Sequence, residues 1–429
     1  MLRSAVSMIA CLAVVGAGGL CAAGDLEVAD FKFDGPLGCG GAKIEKVARN
    51  HFKITLGHAP EHEGWANMVQ FQILRNARGN DLKVTAEFTG FTQYSFHDYS
   101  YSWSYDGKDW RPIRWQNTSR KDGVETGSMV FPTFEQDTVY LGHQVPMSYE
   151  DMVALIENWK KNPVVKAVTV GQSLGGRNMY RLEITDPKGT PPRTERWVHY
   201  FANQHPGEHN SQWRMAAMID WLLGGEGADA RGRFICHFIL IMSPDAPSHG
   251  WYRVNAQGID MNRSYSSTGA NTAQGHEPYL WQKDLESLMA GDCPVTTVWS
   301  MHTWPGAVDP NISPGPEIGT AVGPATDFAA ILTRYDPEHA LIKPLKIDER
   351  PRKFPSKPWT PPPPDRKIEP KTGGAWGSGP GLQFGVTHVL CEGSAALVTK
   401  KENLDSGVII IKSLAEYYKG TKPAPRANQ

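Results

Sequence analysis

Four apolar runs, WVHYFA (197–202), FICHFILIM (234–242), VTTVWSM (295–301) and VTHVLCE (386–392), mark the second part of the chain. Helix-like stretches such as SQWRMAAMIDWLL (211–223) lie between them, and a last one lies around GVIIIKSLAEYYK (407–419). A strand that is apolar on both faces is stable only where both faces are covered. These runs therefore predict an α/β domain, a mixed sheet with helices on either side.

The first part reads differently. Between about residues 25 and 145 the apolar positions have period two: Val69, Phe71 and Ile73 alternate with Gln70 and Gln72, and Leu82, Val84, Ala86 and Phe88 with Lys83, Thr85 and Glu87. That is the pattern of half-buried strands. In YSWSYDGKDW, Asp106-Gly107 separates two aromatic segments, a hairpin signal in which both turn residues take positive φ. The expectation is an antiparallel β-sandwich over residues 24–147. Its aromatics Tyr99, Tyr101, Trp103, Trp110 and Trp115 read as core and cross-strand packing, with a glycan-binding face as the alternative.

At Ser148 the period changes. SYEDMVALIENWKK offers Ser148 as N-cap, Asp151 at the capping-box position and apolar Met152, Leu155, Ile156 and Trp159 on one helical face. A second domain is expected over 148–420, followed by a tail at 421–429. The Pro-dense stretch 350–370, with four prolines at 361–364, reads as an insertion loop.

Residues 1–23 read as an export signal: Arg3, an apolar run from Ala5 to Val15, then LCAAG with cleavage near Ala23. The run is short for a membrane span. Export would leave Cys39, Cys236, Cys293 and Cys391, which permit up to two disulfides in three pairings. A formal net charge of −1 gives no reason to expect nucleic acid or an anionic membrane as partner.

The densest chemistry lies in FANQHPGEHNSQW (201–213). His205 and Glu208 are good metal ligands, placed after an apolar strand and before a helix, where side chains converge on a crevice at the sheet's edge. HPGEH also fits the inverted zinc motif H-x-x-E-H, with His205 and His209 on one helix. Gly disfavours a helix interior by about 1 kcal/mol and Pro by about 3, so Pro206-Gly207 favours a turn presenting His205 and Glu208 instead. A zinc site needs a third protein ligand and an open position for water. His302, at the end of another apolar strand, fits best among candidates that include His97, His249 and His388.

QHPGEH, SPDAPSHGWYRVNAQGIDMNRSY, SMHTW and THVLCEG occur in this order, preceded by GQSLGGRNMYRLEIT at 171–185. Together they resemble the zinc metallocarboxypeptidases of the carboxypeptidase A and B type, over roughly residues 148–418. A sandwich ahead of such a domain is similar to the cytosolic carboxypeptidase branch. The resemblance implies a metallocarboxypeptidase fold, one zinc ion held by His205, Glu208 and His302, and peptide or protein C-termini as substrate. It makes Glu392 the general base and gives the oxyanion to Arg253. Asn262 and Arg263 would take the substrate's terminal carboxylate, and Arg177 joins the substrate-binding residues. Leu390-Cys391-Glu392 stands where the family commonly has Thr-x-Glu, so the register of the base is a point for the structure to decide. Two other readings stay open: a zinc deacylase or amidase acting on small acylated amino acids or cell-wall peptides, and a non-catalytic scaffold binding glycan or protein.

Overall fold

The computed structural model describes residues 24–90, 96–305, 311–313, 325–342, 373–376 and 378–421. The export signal, the Pro-dense loop and all of the tail after Thr421 lie outside the described residues. Among those residues no helix is long and apolar enough to cross a membrane.

The first part forms two five-stranded sheets. One runs in the order Phe31–Lys32, Phe71–Ile73, Val139–His143, Tyr101–Ser104, Arg111–Ile113, and the other Gln116–Lys121, Val124–Phe131, Leu82–Thr89, His51–Thr55, Lys43–Ala48. Alternation decides which side is core: Leu82, Val84, Ala86 and Phe88 are buried and pack with Phe52, Ile54, Phe71, Ile73 and Leu141. Each fully buried side chain of this size contributes about 1.5–3 kcal/mol. Pairing is antiparallel except between His51–Thr55 and Leu82–Thr89, which run parallel. That departs from the purely antiparallel expectation.

The hairpin at Asp106-Gly107 forms, with a longer connection than a two-residue turn. Only Gly107 takes positive φ, at 71°. Asp106 Oδ1 instead accepts from the backbone N–H groups of Lys108 and Asp109 at 2.8 and 2.9 Å, so the turn is built on a side chain. Tyr99, Tyr101, Trp103 and Trp115 are buried and Trp110 is half-buried. The glycan-binding alternative therefore finds no support, because nearly all the rings it needs are inside.

The second part is one mixed sheet. We label its strands β1 (Val165–Gln172), β2 (Asn178–Ile184), β3 (Trp197–Ala202), β4 (Phe234–Ile239), β5 (Thr297–Trp304), β6 (Asn311–Ser313) and β7 (Thr387–Ser394), ordered β1-β2-β4-β3-β5-β7-β6. The inner four, β4, β3, β5 and β7, are mutually parallel, and β1, β2 and β6 are antiparallel to their neighbours. Helices α1 (Tyr149–Trp159), α2 (His209–Leu223) and α4 (Lys400–Tyr417) cover one face, and α3 (His276–Ala290) lies on the other. The strands alternate between the two cores: Trp299, Met301, Val389 and Cys391 join the α1, α2 and α4 side, while Val298 joins the α3 side. Ser148 caps α1 as expected, its side chain accepting from Asp151 N and the Asp151 carboxylate answering. No disulfide joins Cys39, Cys236, Cys293 and Cys391.

Buried histidines make this core acid-sensitive. Burial, helped by Arg233, lowers His199 to about 3, and burial with the cations of Arg181, Arg193 and Lys166 holds His237 well below its ordinary value. Unfolded, both protonate near pH 6.5. Their stabilising effect is thus complete above that pH and is lost as pH falls toward the folded values, at about 1.4 kcal/mol per unit each. Urea unfolding at pH 7 and pH 5 is expected to show a loss of stability to which His199 contributes about 2 kcal/mol, and His199→Gln should remove that part. Equal stability at the two pH values would contradict this.

Candidate metal centre

β3 ends at Ala202, and the chain then turns rather than coils. Glu208 N donates to His205 O at 3.0 Å, Glu208 is the N-cap residue, and α2 begins only at His209. Pro206 and Gly207 fall in that turn. Glycine is needed there for close approach: a Cβ on Gly207 would meet Tyr252 Cδ2 at 2.6 Å, Met68 Sδ at 2.8 Å and the Tyr252 Cα at 2.8 Å. Two of these three contacts cannot be relieved by a flexible side-chain end. The inverted-motif alternative fails with the helix it requires. His209 instead accepts at Nδ1 from Met147 N–H at 3.2 Å, against the segment that joins the two domains.

His205, Glu208 and His302 come together, each buried, with one ligand atom from each within 4.8 Å of the others. His205 Nδ1 lies 2.8 Å from Glu208 Oε1, and His302 Nδ1 2.7 Å from Glu208 Oε2. His302 reaches the site from the C-terminal part of β5, and the Thr303 backbone N–H donates to Glu208 Oε2 at 3.0 Å. The far ring nitrogens are also engaged. His205 Nε2 lies 3.1 Å from Asp260 Oδ1. His302 Nε2 lies 3.3 Å from Ser300 Oγ, whose own proton goes to Gln204 Oε1 at 3.0 Å. His205 Nε2 faces the acceptor-only Asp260 carboxylate, and both rings turn Nδ1 toward Glu208, the second-layer arrangement of metal-bound histidine.

Charge completes the fit. Burial works against ionised Glu208, but His205 and His302 outweigh it and hold the carboxyl well below its usual range. Burial likewise opposes a charged His205, yet Glu208 and Asp260 raise its pKa against both burial and Arg253. The proton that this buried carboxylate draws onto His205 is what a divalent cation can replace. Two imidazole nitrogens and a carboxylate oxygen form the donor set of a hydrolytic zinc site with an open position. The residues present fit the ion.

Glu392 is placed by sheet register. In the parallel β5–β7 pair it is the Cα partner of His302. Met301 and Cys391, one residue earlier on each strand, enter the core beneath α2 and α4. By period two, Glu392 and His302 share the opposite face. Of Leu390-Cys391-Glu392, it is Glu392 that pairs with His302 in this register.

Arg253 and Asn262 join the same centre through Asp260. Arg253 Nε donates to Asp260 Oδ2 at 2.5 Å, and Asn262 N donates to Asp260 Oδ1 at 2.8 Å. Asn262 Nδ2 also lies 3.3 Å from His302 Nε2. Arg263 is exposed, with Nη1 donating to Asn262 O at 2.8 Å. Arg177 is not brought into this group. Its Nη1 donates to Ser248 Oγ at 2.9 Å and sits 3.5 Å from Asp245 Oδ1, sharing no partner with the triad. The 171–185 element instead clamps Asp245, which also accepts from Ser173 Oγ and Gly175 N, both at 2.8 Å. His249 and His388 lie outside the triad, and the His97 side chain lies outside the described residues.

Sequence reasoning assigned no role to Asp260, which ties His205, Arg253 and Asn262 together. Its signal was present: an acidic residue two positions before Asn262, capping the one-turn helix Met261–Arg263. Tyr252, whose hydroxyl lies 3.3 Å from Glu208 Oε1, gave no comparable signal.

Residues 152–286 match the sequence model of the zinc carboxypeptidase family. Human cytosolic carboxypeptidase 2 is 29% identical over 191 residues, 41% of this chain and 21% of the relative. Mouse cytosolic carboxypeptidase 3 is 32% identical over 164 residues, 36% of this chain and 16% of the relative. The chain thus aligns with about a fifth of the length of the curated relatives it matches. Among solved structures, the metallo-carboxypeptidase from Burkholderia cenocepacia superposes with a TM-score of 0.67 at 19% identity, covering 90% of this chain and 98% of the other. One from Pseudomonas aeruginosa, in complex with (2-guanidinoethylmercapto)succinic acid, gives 0.65 at 16% identity, covering 90% and 98%. These show a shared fold. Motif order and ligand geometry agree with the match of residues 152–286 to the sequence model of that family.

Proposed function

We propose that this protein is an exported zinc-dependent carboxypeptidase that removes residues from the C-terminus of peptides. The observation that supports it most is the β5–β7 register, which sets a carboxylate outside the ligand set beside His302 on the ligand face. Export is supported by the N-terminal sequence.

When bound by His205, Glu208 and His302, zinc supplies Lewis acidity, lowering the pKa of water and polarising the scissile carbonyl. Glu392 takes the proton of the attacking water at a carboxylate oxygen and returns it to the leaving amine nitrogen. Arg253, its guanidinium fixed through Nε by Asp260, meets the negative charge that develops on the carbonyl oxygen. Arg263 presents a planar fork suited to a substrate carboxylate, and Asn262 beside it joins that recognition to the His302 side of the site.

The test is a matched pair of peptides, one with a free C-terminal carboxylate and one amidated. Two charge-assisted hydrogen bonds are lost on amidation, so kcat/KM is expected to fall roughly 10²- to 10⁴-fold. Arg263→Ala should compress that difference. Equal cleavage of the pair selects the amidase reading instead.

A further inference from the structure

The sandwich domain reaches the metal centre through one intervening residue. The Tyr252 hydroxyl stands between Glu208 Oε1, at 3.3 Å, and the hydroxyl of Tyr99, at 2.8 Å. The Tyr252 hydroxyl is the donor toward both, so its one proton is shared between the Tyr99 oxygen and the Glu208 carboxylate, and Tyr99 fixes where that hydroxyl sits. Tyr99 and Tyr252 are both buried, in a cluster with Met68 and Ala395 that draws on both domains. The last residue of the sandwich strand Val139–His143 adds a second contact: His143 Nδ1 donates to Gly207 O at 3.1 Å, within the turn that carries Glu208. The same ring packs against Tyr99 and Tyr252 at centroid distances of 5.1 and 5.6 Å.

The Glu208 carboxylate shows what these contacts accomplish. Oε2 is held by the Thr303 backbone N–H at 3.0 Å, from the strand that carries His302. Oε1 has Tyr252 as its corresponding donor. With a donor on each oxygen, rotation about the last side-chain bond is resisted from both sides, and the Oε1 donor is oriented from the other domain.

We propose that the N-terminal sandwich supplies positioning residues to the metal centre: Tyr99, acting through Tyr252, orients the Glu208 carboxylate, and His143 braces the turn beneath it. The proposal rests on the reading of His205, Glu208 and His302 as a zinc site. Groups that orient metal ligands in this way typically change affinity 10- to 100-fold. The sandwich is on this account part of the site's construction and more than an appended module.

The experiment compares full-length wild type, Tyr252→Phe, Tyr99→Phe and the double variant, each keeping its rings. Zinc affinity is read by competition with a chromogenic chelator, and thermal midpoints are recorded zinc-free. Tyr252→Phe is expected to weaken zinc by roughly 10- to 100-fold, and Tyr99→Phe to change it by up to roughly 10-fold, since the Tyr252 hydroxyl then loses the partner that places it. The double variant should be no weaker than Tyr252→Phe, because Tyr99 acts only through Tyr252. Zinc affinity unchanged in Tyr99→Phe, or lower zinc-free midpoints at constant affinity, would overturn the proposal. If Tyr252→Phe does not fold, Tyr99→Phe decides alone. A wild type that binds no zinc defeats the underlying reading instead, so the two failures are distinct.

Discussion

Glu392→Gln is expected to keep its zinc and to lose turnover by roughly 10³- to 10⁴-fold, the upper part of the range for a group that both takes and returns a proton. Glutamine preserves the shape and hydrogen-bonding length of the side chain and removes its basicity. Zinc should stay because Glu392 is outside the ligand set, which is complete with two imidazoles and Glu208. The loss should fall on kcat, with KM little moved, since the proton is transferred only on the way to the transition state. Metal content by atomic emission and steady-state kinetics on one preparation check both halves. Near-normal turnover would remove Glu392 from its role, and loss of zinc would move it into the ligand set.

Glu208→Gln should do the reverse, lowering zinc affinity by more than the roughly 10- to 100-fold that an outer-layer partner costs. Glu208 is the only anion in the set, and both of its oxygens face imidazole nitrogens. Its neutral amide leaves two imidazoles to hold a dication with no compensating charge. Chelator competition at pH 8, where ordinary imidazoles are deprotonated, separates ligand loss from protonation. An affinity equal to wild type would mean the ion sits elsewhere.

Much of this centre was legible before any coordinates. Pro206-Gly207 disfavours a helix, Pro by its missing N–H and ring clash and Gly by its backbone entropy, so the turn between His205 and Glu208 follows from local chemistry. That His302 and Glu392 share a face came only with the β5–β7 register, but both sit near the ends of apolar strands, which sets them at one edge of the sheet. Such signals are short-range, carried by the residues themselves. What escaped was the choice of distant partners. Nothing local to Tyr99 says that its hydroxyl will reach Tyr252, 153 positions away, and nothing local to Arg177 says that Ser248 and Asp245 will be its partners. Asp106 was read as part of a two-residue turn because its sequence context matches one, yet its side chain found two backbone donors and a longer loop resulted. The parallel pairing of His51–Thr55 with Leu82–Thr89 was hidden for the same reason: alternation reports which face is buried and is silent on strand direction.

The most direct test of the account is the mass pattern of products. A mixture of peptides with varied C-termini is incubated with wild-type protein, with protein stripped by chelator, and with stripped protein given back one equivalent of zinc. The account predicts products shortened from the C-terminus one residue at a time, abolished by stripping and restored by zinc. Internal cleavage, or a pattern indifferent to the metal, would contradict it.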